Sequence, residues 1–413
     1  MNRIDQCFLN ILRCALKGAP LESAPGLTEA EWEQLFRTAQ DHRILPLVFE
    51  AVHALPEMKA SPQRPALKQA VFQQVMLQTR KTADFLGLMR SFSQAGIHPL
   101  VVKGIICRNL YPHPDHRSSS DEDLLIPPEA FSRCHQLLAD AGLHTAIQGT
   151  DLESTYEVPY RQANGPLYIE LHRHLFPPES ESYGDLNRFF TDARERAIRE
   201  TISGVDVYTL EYTDHLFYLI CHAFKHFLHS GFGIRQVCDI ILFASAYGDR
   251  INWPRIEKDC RRIRAFLFAA AVFRIGANHL GFDPALAHMP ASWRNAPVDE
   301  MPMLRDLLQS GVYGTSSRSR QHSSRITLDA VAAQKQGHTS RNSAVLSLFP
   351  SAEKLQGRYP YLKERPWLLP AAWASRIGTY CRETLTSQDS NAAESLEIGR
   401  HRVELLKQYG IIK

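Results

Sequence analysis

The chain has 413 residues, of which 44% are hydrophobic and 22% charged, and a net charge of +3 at pH 7. This is an ordinary globular composition, long enough for two or three packed units with a substantial core. So small a net charge makes no case for nucleic-acid binding, and the eight cysteines contain no CxxC pair that would suggest a zinc ribbon or a redox motif.

The amino-terminal run MNRIDQCFLNILRCALKG has an early acidic residue and no small-residue cleavage pattern, unlike a signal peptide. No apolar stretch approaches the roughly 20 residues that cross a bilayer. Scattered cysteines fit the thiols of a reducing compartment, so a soluble, cytoplasmic protein is expected. Phe8, Ile11, Leu12, Ala15 and Leu16 recur at helical spacing, and Thr28-Glu29-Ala30-Glu31 opens a second helix with a capping box. A long helix through Val71, Val75, Leu86 and Met89 should stop near Gly96.

From Ile97 the period changes. The pattern predicts a strand over 98–102, a short helix over 105–111, a strand over 123–126 and a helix over 128–141 ending at Gly142. Further strands are expected at 143–147, 155–160 and 167–172, the last entered through the turn signal Asn164-Gly165-Pro166. Beyond 177 the chain reads as mainly helical, apart from a hairpin at 202–210 turning on Ser203-Gly204. Residues 311–343, rich in Ser, Gln, His and Arg, read as a flexible basic loop.

Chemistry concentrates in residues 101–126, VVKGIICRNLYPHPDHRSSSDEDLLI. Successive strand side chains face opposite ways, so Asp121 and Asp123 share one face and Glu122 takes the other. Paired carboxylates repel unless a cation lies between them, and a hard divalent ion such as Mg²⁺ is held by one or two carboxylates plus substrate phosphates. Alternation in the 167–172 strand puts Tyr168, Glu170 and His172 together, so Glu170 can meet the aspartates across a sheet. Phosphoryl or nucleotidyl transfer is the chemistry suggested. Taken alone, DxD is a short and common pattern that also fits an acidic turn.

Lys103-Gly104, Tyr111-Pro112, Arg117, the Asp121 to Ile126 run and Glu170-Leu171-His172 resemble the bacterial uncharacterised nucleotidyltransferase family, a branch of the DNA polymerase beta-like nucleotidyltransferase superfamily. His42-Arg43, the 222–239 stretch and Arg358 to Leu362 extend the likeness. Ser120 and Glu122 stand where that family usually has a glycine and an apolar residue. The resemblance implies an α+β fold: a small mixed-sheet core at 96–176, a helical region at 1–95, a mainly helical substrate-facing region at 177–310, the 311–343 loop and a C-terminal region at 344–413. It further implies transfer of a nucleoside monophosphate from a nucleoside triphosphate such as ATP, with pyrophosphate released. Asp121, Asp123 and Glu170 would be catalytic and would hold Mg²⁺ or Mn²⁺, as two ions.

Gly104 would let the backbone approach the triphosphate, and Lys103 and Arg117 would contact phosphate oxygens. Alternatives stand beside these roles: Lys103 as a strand-end lysine in solvent, Arg117 as a partner of Asp115 or Asp121. His172 either contacts substrate, orients a carboxylate or is a satisfied structural histidine. His222, His226 and His229 share a helix face that fits a core or substrate-facing helix, or else a metal hydrolase, though no HExxH is present. Arg235 and Asp239, at i and i+4, look like a helix ion pair. The acceptor is open among a small molecule, a peptide, a protein side chain and an RNA end. A binding or regulatory protein that keeps this fold without turnover is the competing class.

Overall fold

The computed structural model describes residues 1–147, 152, 155–178, 180, 182–229, 231–310, 328, 331, 352–355, 359–375 and 392–412. Helix α1 (Arg3–Leu16) starts on an Asn2 cap and buries Phe8, Ile11, Leu12, Ala15 and Leu16 along one stripe. At the start of α2 (Glu29–Asp41) the expected capping box is present, Glu31 N–H donating to Thr28 Oγ1 and Thr28 N–H to Glu31 Oε2. Helix α3 (Leu45–Val52) is apolar nearly all round and is buried accordingly. After the short α4 (Pro56–Ala60), α5 (Arg64–Gln94) runs for 31 residues and ends just before Gly96, which takes the left-handed φ of 69°.

The chain then enters a seven-stranded sheet. Strand β1 (Leu100–Val102) leads through the short α6 (Gly104–Arg108) to β2 (Glu122–Leu125), and α7 (Phe131–Asp140) leads to β3 (Leu143–His144), β4 (Glu157–Gln162) and β5 (Tyr168–His172). A hairpin of β6 (Ile198–Ile202) and β7 (Val205–Thr209) completes the set, in the order β3-β4-β5-β2-β1-β7-β6. The hairpin turns on Ser203-Gly204 as expected, with φ of 48° and 74° at the two residues, matching the twist of its strands. It begins four residues earlier than its sequence pattern suggested. It also pairs parallel to β1 at Leu100 and Tyr208, so strand pairing continues past residue 176.

Helices α8 (Tyr212–Leu228), α9 (Ile234–Tyr247), α10 (Trp253–Arg262) and α11 (Phe266–His279) follow, with α9 packed on both α8 and α6. The α+β reading therefore holds, and one continuous core joins the amino-terminal helices, the sheet, α8 to α11 and the helix Ala392–Gln408. Residues 360–362 and 366–368 form two 3₁₀ turns over a separate small cluster of Leu355, Leu362 and Ala372. The loop expected at 311–343 lies outside the described residues, apart from positions 328 and 331. Among the described residues no helix is long and apolar enough to cross a membrane. Seven cysteines carry free thiols, and Cys381 is outside the described residues.

Candidate active site

Strand register builds the floor of the site. Asp123 lies opposite Val102 of β1 on one side and opposite Glu170 of β5 on the other, so two acidic side chains from distant segments stand next to each other. Asp123 is buried, with 1% of its side chain exposed, whereas Asp121, one step ahead of β2, keeps 26%. The Lys103 ammonium sits between them, 2.7 Å from Asp123 Oδ2 and 3.4 Å from Asp121 Oδ2. Burial pushes the Asp121 carboxyl up, but Lys103, Lys81 and Arg235 outweigh it and hold it well below the usual carboxylate range.

The other oxygen of Asp123 is bare. Asp123 Oδ1 and His172 Nε2 are both buried without a hydrogen-bond partner and lie 3.7 Å apart, and Glu170 Oε2 is 3.6 Å from the same nitrogen. His172 Nδ1 reaches the His174 carbonyl at 3.3 Å, which places a proton on Nδ1, and the neutral ring with that tautomer presents Nε2 as a lone pair. Three lone-pair donors within 4.8 Å of one another repel unless a cation joins them. A metal-ligating histidine typically hands its other N–H to a carbonyl in this way. The set is one that could hold a metal ion. Sequence reasoning placed His172 on this face but left its role open; Asp121 stands nearer Lys103 than this cluster.

Lys103 is held in place by its backbone. It adopts φ 47° and ψ −119°, a conformation that costs a non-glycine residue about 1–3 kcal/mol. Its N–H donates to His215 Nε2 at 3.1 Å, His215 Nδ1 meets Thr209 Oγ1 at 3.1 Å, and that hydroxyl donates to the Val101 carbonyl at 2.6 Å. The relay works only with a neutral ring, and burial pulls the His215 pKa down to about 3. His42, also fully buried, is pulled down to about 4.

Both folded values lie below the ordinary 6.5, so between these limits the unfolded chain binds protons that the folded chain refuses, and stability falls as pH falls. The expected loss at about pH 5 is roughly 2 kcal/mol for each histidine. Urea midpoints measured at about pH 7.5 and about pH 5 check this, and equal midpoints would contradict it.

On the reverse face of β2, Glu122 is fully buried and paired. Its Oε1 accepts from Arg108 Nη1 at 2.5 Å and Ser119 Oγ at 3.1 Å, and its Oε2 accepts from Ile105 N–H at 2.9 Å. Gly104 makes room for it, since a Cβ there would lie 2.0 Å from Glu122 Oε2. The Ser120 carbonyl accepts from Lys81 Nζ at 2.5 Å, so a buried lysine of α5, its pKa lowered by burial to about 8, fastens the approach to Asp121.

Arg117 pairs with neither Asp115 nor Asp121. Its Nε and Nη2 bind both oxygens of Asp239 at 2.8 and 2.5 Å, and Tyr111 donates to the same carboxylate at 2.8 Å. The guanidinium fork expected to face phosphate is thus engaged by a carboxylate, although Arg117 still borders the cleft. This also corrects the Arg235–Asp239 pair expected from helical spacing. Arg235 donates instead to the Ser118 carbonyl, and its buried Nε has no hydrogen-bond partner.

A cavity of about 390 Å³ opens over this floor. Asp121 and Glu170 line it together with Arg43 from the turn before α3, Lys225 from α8 and Arg235 from α9. His222, His226 and His229 also line it, so the histidine face of α8 is turned to the cleft. His222 and His226 touch each other through their Nε2 atoms at 3.3 Å, and burial lowers the pKa of both. The single cluster of metal-ligating groups found among the described residues contains none of them.

Residues 28–281 match the uncharacterised nucleotidyltransferases. The chain belongs to this family. No curated protein and no solved structure matches it. Every residue that lines the cleft lies within the segment shared with the nucleotidyltransferase family. Lys81, His215, Tyr218 and Lys225 went unassigned from sequence, Arg43 was named there without a role, and Arg235 was given to Asp239. Arg43 had a signal in its φ of 54°, but that is visible only in the folded chain. The others sit in helices whose periodicity reports burial and says nothing of what the buried polar end meets.

Proposed function

We propose that this protein transfers a nucleoside monophosphate from a nucleoside triphosphate to an acceptor, with a divalent ion held by Asp123, Glu170 and His172. The observation that carries this reading is the convergence of Asp123 Oδ1, Glu170 Oε2 and His172 Nε2, with two of the three atoms buried and unpartnered. The ion would supply positive charge where negative charge builds on the phosphate oxygens.

The remaining work falls to side chains of this chain. An acceptor oxygen bonds to the α-phosphorus, the bridging oxygen–phosphorus bond to the β-phosphate breaks, and pyrophosphate leaves. Glu170, partly open to the cleft, takes the acceptor proton on a carboxylate oxygen. Arg43, Lys225 and Arg235 hold the β- and γ-phosphates, with Arg235 in the role the sequence suggested for Arg117. Arg117 with Asp239 braces α9, from which Arg235 projects. Gly104 and Lys103 shape the turn facing the phosphates. The neutral histidines of α8 are placed to contact the acceptor.

Ser120 and Glu122, the two departures from the family pattern, both have structural partners away from the donor set, which supports turnover. The seven free thiols support work in the cytoplasm, where they stay reduced.

The test is release of pyrophosphate from each common nucleoside triphosphate in Mg²⁺ or Mn²⁺, with fractionated cell extract as the source of acceptor. Absence of divalent-dependent triphosphate binding would end this reading. In the same assay Arg235→Ala should weaken triphosphate binding by about ten- to a hundredfold, the worth of a charge-assisted hydrogen bond, while metal affinity stays unchanged.

A further inference from the structure

We infer that Lys103 takes the place of a second metal ion, so that the centre works with one divalent ion and one fixed ammonium. This rests on the nucleotidyl-transfer reading above and revises the two-ion expectation drawn from the family resemblance.

The two oxygens of Asp123 are divided between two cation positions. Oδ1 faces His172 and Glu170, while Oδ2 is 2.7 Å from Lys103 Nζ and 3.5 Å from the Tyr218 hydroxyl. The same ammonium reaches Asp121 Oδ2 at 3.4 Å, so it touches one oxygen from each member of the DxD pair. That is the position a bridging cation would take between two carboxylates.

The ammonium is no surface group swung inward, since only 15% of the Lys103 side chain is exposed. Its backbone is held in a left-handed conformation by the His215, Thr209 and Val101 relay. Strain kept at one residue by a buried relay marks a side chain whose direction matters.

Charge points the same way. Asp121 already lies in the field of Lys103, Lys81 and Arg235, so a second divalent ion there would meet three positive side chains. One divalent ion and one ammonium neutralise Asp121, Asp123 and Glu170 together. A second ion would displace Lys103 from both of its carboxylate partners, towards His222 Nε2 at 3.4 Å, which offers no negative charge. Lys103 serves as a fixed cation in this arrangement. Its task is to stay positive beside the α-phosphate, and the bonds made and broken are those already described.

Counting ions tests this. Crystals of the full chain soaked in Mn²⁺ with a non-hydrolysable nucleoside triphosphate should show one anomalous peak, and Mn²⁺ titration followed by electron paramagnetic resonance should give one ion per chain. Pulsed spectra of that ion should carry nitrogen coupling that disappears in His172→Ala. Asp121→Asn should retain the ion and Asp123→Asn should lose it. Lys103→Met should take up a second ion where the ammonium stood, and its melting temperature should rise more with Mn²⁺ than that of the wild type.

Two ions per wild-type chain with triphosphate bound would overturn the one-ion assignment and leave nucleotidyl transfer standing. No ion and no triphosphate bound would remove both. Should Lys103→Met fail to fold, the counts for wild type and Asp121→Asn decide the question.

Discussion

Asp123→Asn is expected to lower divalent-dependent pyrophosphate release by on the order of a thousandfold while the fold stays intact. The side chain is 1% exposed and lies between Lys103 and the proposed ion position, with Oδ1 towards His172 and Oδ2 on Lys103. An amide of the same shape removes the charge that both positions need. It also turns one bare acceptor into a donor or a weaker acceptor beside His172 Nε2. Because β2 pairs on both sides through its backbone, circular dichroism and the melting temperature should change little. A variant that keeps a tenth or more of wild-type activity would show that Asp123 is not at the reacting centre.

Glu122→Ala should cost roughly 3–5 kcal/mol of stability, because it strands the Arg108 guanidinium in a site where that side chain is 1% exposed. The carboxylate also accepts from Ser119 Oγ and from the Ile105 N–H at the start of α6, so these donors lose their partner as well. Replacing both members, as Arg108→Met with Glu122→Leu, should recover much of the loss, since a well-packed apolar pair often equals a buried ion pair. The family pattern, with an apolar residue between the two aspartates, fits that expectation. Urea unfolding of the two single variants and the double variant forms a cycle. A Glu122→Ala loss below about 1 kcal/mol, the usual range of an exposed pair, would contradict the buried-pair account.

The two results separate stability from chemistry on one short strand. Residues 122 and 123 are neighbours in sequence, yet one faces Arg108 behind the sheet and the other faces Lys103 and His172. A change at 122 should act first through folding. A change at 123 should act first through the reaction.

Much of this was legible locally. Helical spacing in α1, the Thr28–Glu31 capping box, the stop before Gly96 and the Ser203-Gly204 turn all depend on residues a few positions apart, and all are found. Strand alternation assigned Asp121 and Asp123 to one face and Glu122 to the other, and it set Glu170 and His172 together. Strand ends were less legible. The strand expected at 143–147 pairs only at residues 143 and 144, although its partner β4 runs on to Glu157.

The sequence by itself determined the carboxylate faces, the helices and the acidic chemistry, because the period of a backbone is a local property that side-chain order records. Only the tertiary structure decided which cation meets which carboxylate. Arg117 binds Asp239 across 122 positions, Lys103 leans on His215 across 112, and Lys81 holds the carbonyls ahead of Asp121 from a helix about 40 positions upstream. No periodicity links such positions. Their pairing follows from how whole elements pack, and from the cost of leaving any charge buried without a partner.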